Sequence, residues 1–136
     1  MVAASELSVN TGASANQMAA AMFGSGISIV NANYSGASSA SGIYSGGLST
    51  SPNFAPSDAG VILSTGRASD ITNSSGQANQ SSSTSTSQGT SGDAQLTAIS
   101  GQQTYDAAVF TSTFVPDGSE LTMQITFSSE EYLEYV

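Results

Sequence analysis

Apolar and polar positions alternate most regularly near the end of the chain. In "ELTMQITFSS", Leu121, Met123, Ile125 and Phe127 fall on one side of an extended segment, and Thr122, Gln124, Thr126 and Ser128 on the other. A strand with one packed and one wet face requires that pattern. The preceding run, "TYDAAVFTSTFVPDG", places Phe110, Ser112 and Phe114 on a common face and ends in Pro116-Asp117-Gly118, so the two runs together predict a β-hairpin. Two earlier strands are also expected. "ISIVNANY" alternates Ile27, Ile29, Asn31 and Asn33 against Ser28, Val30, Ala32 and Tyr34, and "AGVILSTG" is a short apolar strand closed by Gly66.

Helical signals are few. Ser14 and Gln17 have the spacing of a capping box ahead of "MAAAM", with Gly24 as the stop and Met18, Ala21 and Met22 as the buried stripe. Asp93 is placed to cap a further helical turn that carries Leu96 and Ile99 inward. The paired "YSGASSA" and "YSGGLST" pieces read as hairpin punctuation around Gly36, Gly46 and Gly47, and Pro52 and Pro56 bracket a loop. Residues 73–92, rich in Ser, Thr, Gly and Gln, hold almost nothing that can be buried and read as a surface loop within a single β-rich domain over 1–136.

Composition narrows the partners. The chain has ten acids against Arg67, with no Lys and no His, for a net charge of -9. Nucleic acid and anionic lipid are therefore excluded as partners, because the cations that bind phosphate are missing. No apolar run is long enough to enter and span a membrane. The opening "MVAASELSV" has neither a basic start nor a long apolar stretch, so a signal for export is expected outside these residues. Cysteine is absent, which removes disulfides and thiolate metal sites.

Chemistry is limited in the same way. Without His, Lys or Cys, a hydroxyl nucleophile lacks its common bases, and neighbouring strand carboxylates such as Glu130 and Glu131 point to opposite faces and make a poor glycosidase pair. The chain reads as no enzyme. Oxygen-rich loops suit a hard cation better, and Glu130, Glu131 and Asp106 are the candidate calcium ligands. Continuing the strand phase turns Glu131 inward, where a carboxylate needs a hydrogen-bond, cationic or metal partner. Arg67 is expected to pair with Asp70.

Taken in order, "MAAAMFGSGISIVNANYSG", "AGVILSTG", "TYDAAVFTSTFVP" and "ITFSSEEYLEYV" resemble the bacterial choice-of-anchor L domain. Members usually carry proline where this chain has Leu133, and an apolar or aromatic residue often stands near Ser112 in that family. The resemblance implies a mainly β fold, an antiparallel jelly-roll-like β-sandwich displayed outside the cell, without enzymatic activity, whose pattern continues into further strands after this segment.

Function is expected in one of three classes. The first is a noncatalytic extracellular or cell-surface module for display, adhesion or matrix interaction with a glycan or protein. The second is a structural subunit that self-associates through an open sheet edge by strand exchange. The third is a calcium-dependent carbohydrate-binding domain, for which Tyr34, Tyr44, Tyr105, Tyr132 and Tyr135 are the available aromatics.

Overall fold

The computed structural model describes residues 7–50, 55–71 and 86–129, and within them the protein is mainly β, with five strands in two antiparallel sheets arranged like a sandwich. Strands β1 (Ser8–Asn10), β3 (Ser41–Ser45) and β4 (Ala59–Leu63) form one sheet in the order β1-β3-β4. Strands β2 (Ile27–Ser35) and β5 (Val109–Pro116) form the other.

Helix α1 (Ala15–Met22) begins as its sequence predicts. The Ser14 hydroxyl accepts from the Gln17 backbone N–H, and the Gln17 side chain accepts in return from the Ser14 N–H at 2.8 Å. These reciprocal bonds satisfy donors that the first helical turn would otherwise leave open. The helix packs on β2 at one side and on β4 at the other, so it joins the two sheets. Its buried residues are Met18 and Ala19, whereas Ala21 and Met22 are only half-buried.

In β2 the register shifts between Ile29 and Asn31, which leaves Val30 as an extra residue and reverses the phase of the remaining strand. Ile27 and Ile29 therefore share the inner side with Ala32 and Tyr34, and Asn31 and Asn33 face solvent. An unbroken alternation would have turned the two asparagines inward with the isoleucines. The bulge avoids burying two amides without partners.

After β2 the chain does not turn back as a hairpin. Gly36, at φ 150, leads through a short 3-10 turn (Ser38–Ala40) into β3 of the other sheet. A Cβ at Gly36 would stand 2.7 Å from the Tyr34 hydroxyl and 2.8 Å from the Ala107 carbonyl oxygen, so this corner admits glycine alone. A second one-turn helix, α2 (Gly47–Thr50), follows β3 and has no counterpart among the predicted elements.

Helix α3 (Ala94–Ser100) is capped by the Asp93 carboxylate, which accepts from the N–H groups of Gln95 and Leu96 at 2.9 Å. Its apolar side chains do not point into the core. Leu96 is 54% and Ile99 83% exposed, because no sheet surface lies under this seven-residue helix.

The predicted hairpin is half present. β5 has Phe110, Ser112 and Phe114 on its inner side, as expected, but its partner is β2, and the Ser112 hydroxyl donates to the Asn31 carbonyl at 3.1 Å. Among the described residues, 119–129 join neither sheet. Pairing with β2 across some eighty residues has taken the edge that a local hairpin would have used.

Candidate functional site

Two places in the fold gather unusual chemistry. One is built on Asp106, just ahead of β5 and the single non-glycine at positive φ (52°) among the described residues. Aspartate tolerates this backbone region better than most side chains do. The conformation aims its carboxylate at the returning segment 87–90. Oδ1 accepts from the Thr90 N–H at 2.7 Å and the Thr90 hydroxyl at 3.2 Å, while Oδ2 accepts from the Gln88 N–H at 3.0 Å and the Ser87 hydroxyl at 3.4 Å.

Backbone bonds complete the knot: the Asp106 N–H donates to the Thr90 carbonyl and the Ala107 N–H to the Ser91 carbonyl, both at 3.1 Å. The Thr90 and Gln88 backbone N–H groups hold the Asp106 carboxyl below the ordinary aspartate range. Partial desolvation opposes them, and the Thr90 and Ser87 hydroxyls assist. The end of the Ser/Thr-rich loop is thereby tied to the foot of β5.

As a candidate calcium ligand Asp106 is already engaged, since its two oxygens accept four N–H and O–H donors. Among the described residues, no group of three acidic side chains is arranged to hold a metal ion. Glu130 and Glu131, the other two candidates, lie outside the described residues, as do Tyr132 and Tyr135. Arg67 and Asp70 share a backbone bond, in which the Asp70 N–H donates to the Arg67 carbonyl at 3.1 Å. The Asp70 carboxylate accepts from the hydroxyls of Ser69 and Thr86 at 3.3 and 3.4 Å, which adds a second tie to the loop end.

Two of the five tyrosines are used in packing. Tyr44 is buried and donates to the Ser57 carbonyl at 3.3 Å, and Tyr34 is half-buried and donates to the Ala37 carbonyl at 2.9 Å. Tyr105 is 70% exposed and stands beside a hollow of about 360 Å³, which Leu63, Thr65 and Leu96 also line.

The second place is an apolar groove of about 880 Å³. The end of α1 (Met22 and Phe23), β4 (Val61 and Leu63) and the segment carrying Leu121 and Ile125 form its walls. No residue that lines it carries a charge. The alternation in 121–127 predicts a packed strand, and the apolar side chains are instead half or more exposed: Leu121 51%, Met123 50%, Ile125 78% and Phe127 89%.

Architecture and sequence agree with one family. A model of the choice-of-anchor L domain matches residues 8–136. The chain belongs to the choice-of-anchor L domain family. No curated protein and no solved structure matches it. Membership in the family makes this a surface-associated module of a noncatalytic kind, and among the described residues no helix is long and apolar enough to cross a membrane.

Sequence reasoning selects Asp106 for calcium chemistry and misses the partners it has in the fold. Ser87, Gln88 and Thr90 lie in a stretch whose composition says only that it cannot be buried. The one sequence signal is Asp106 itself, since an acid shortly before an apolar strand is suited to a left-handed turn.

Proposed function

We propose that this domain is displayed outside the cell and makes noncovalent contact there with a glycan or protein of the surrounding matrix. Membership in the choice-of-anchor L family over residues 8–136 carries the reading. Exposed Tyr105 beside its hollow supports the glycan form of it: one free aromatic face next to hydroxyl-bearing Thr65 and Thr104 suits the stacking and hydrogen bonding that a sugar ring offers. The knot at Asp106 holds this surface rigid, because Tyr105 adjoins the residue whose carboxylate closes it.

Calcium enters only through Glu130 and Glu131, and a melt with calcium and then chelator tests it, since a cation bound to the native state alone must raise the midpoint. A glycan array probed with the wild-type domain and with Tyr105→Ala tests the main reading. Binding that the substitution abolishes supports a glycan contact at Tyr105. Equal binding by both moves the contact elsewhere, and no binding with or without calcium removes glycan as the partner.

A further inference from the structure

The groove and the segment beside it point to a second copy of this chain as their occupant. Leu121, Met123, Ile125 and Phe127 form a row two residues apart, so on an extended backbone they share one side over about 20 Å. All four are at least half exposed, and three of them form one rim of the 880 Å³ groove whose opposite wall is β4 and the end of α1. An apolar ridge and an apolar groove thus lie next to each other on one face. That is the arrangement a two-fold axis can make self-complementary, each copy's ridge entering the other's groove.

Charge argues for the same occupant. The chain carries -9, yet neither the groove lining nor the run from Leu121 to Ser129 contains a single charged side chain. Two copies can therefore meet here without burying like charges, and the groove offers a basic partner no ion pair. The tail Glu130–Val136 is a poor occupant, since three carboxylates in seven residues would enter an uncharged apolar space.

We propose that two copies of this domain associate through this face, with the Leu121–Phe127 ridge of each seated in the apolar groove of the other. Size-exclusion chromatography with light scattering over a hundredfold concentration range tests it. The wild type is expected at twice the 13.6 kDa chain mass at the upper end. Ile125→Glu and Phe127→Ser each weaken association at least tenfold while leaving the circular dichroism spectrum unchanged, because both side chains are exposed in the single chain (78% and 89%). Ile99→Glu is the control, since Ile99 is 83% exposed on α3 and outside the groove, and it leaves association unchanged. Rising salt strengthens association by screening the two negative chains. A wild type that remains monomeric throughout, an Ile99 variant as weakened as the Ile125 variant, or association that falls with salt would each overturn the proposal.

Discussion

Tyr44 on β3 lies opposite Gly60 on β4, and its ring fills the space that a side chain at position 60 would need. A Cβ built on Gly60 would stand 2.8 Å from the ring edge and from the hydroxyl. The ring cannot simply swing aside, because it is buried and its hydroxyl is held by Ser57. Gly60→Ala is expected to destabilise the domain by about 1–3 kcal/mol, as overpacking a filled site does. Chemical denaturation measures it, and an unchanged midpoint would show that the ring moves freely.

The capping box makes a second prediction. Ser14→Ala removes the hydroxyl that receives the Gln17 N–H and is expected to cost about 1 kcal/mol. Gln17→Ala leaves the Ser14 N–H open to solvent and costs less, since water can take the amide's place. Thermal melts of the two variants should keep that order.

Phe23, at the end of α1, and Phe114, on β5, have ring centroids 4.8 Å apart at an interplanar angle of 47°. This contact clips the helix to the two-stranded sheet. A double-mutant cycle with alanine at both positions should return a coupling of about 0.5–1.5 kcal/mol. Additive losses would mean that the rings touch without supporting each other.

Asp106 makes stability depend on acid. Its carboxyl is held below the ordinary range in the folded state, so its contribution is complete above the unfolded pKa and is lost as pH falls through the folded one. The wild type should therefore lose stability below about pH 4. Asp106→Ala should melt lower at neutral pH and show less of that loss. Hydrogen exchange at the Thr90 and Gln88 amides reads the same bonds directly and should speed up in the variant. Asp106→Gly separates strain from bonding: glycine accepts the φ of 52° but supplies no acceptor, so it too should free the loop end.

Legibility in the sequence tracks the range of the interaction concerned. Bonds that close within one turn, such as Ser14 to Gln17 and Asp93 to Leu96, are readable because both partners sit in one short window. The extents of β2 and β4 are equally clear from their apolar runs. The phase of β2 is not, because the bulge at Val30 answers to the register with β5 and not to its own residues. The same non-local pairing makes the Pro116-Asp117-Gly118 turn a misleading hairpin signal. At the candidate sites Asp106 is visible as an acid in an unusual place, but the bonds that decide its role come from residues 16 to 19 positions earlier. Tyr105 can be identified as an aromatic, and only the fold shows that it is free where Tyr34 and Tyr44 are committed.

Presentation of this choice-of-anchor L domain outside the cell is the central claim, and protease treatment of intact cells that make it is the most direct test. External protease or an antibody to the domain is expected to reach it without permeabilisation. Protection until the envelope is opened, with a control surface protein cleaved in the same sample, would contradict it.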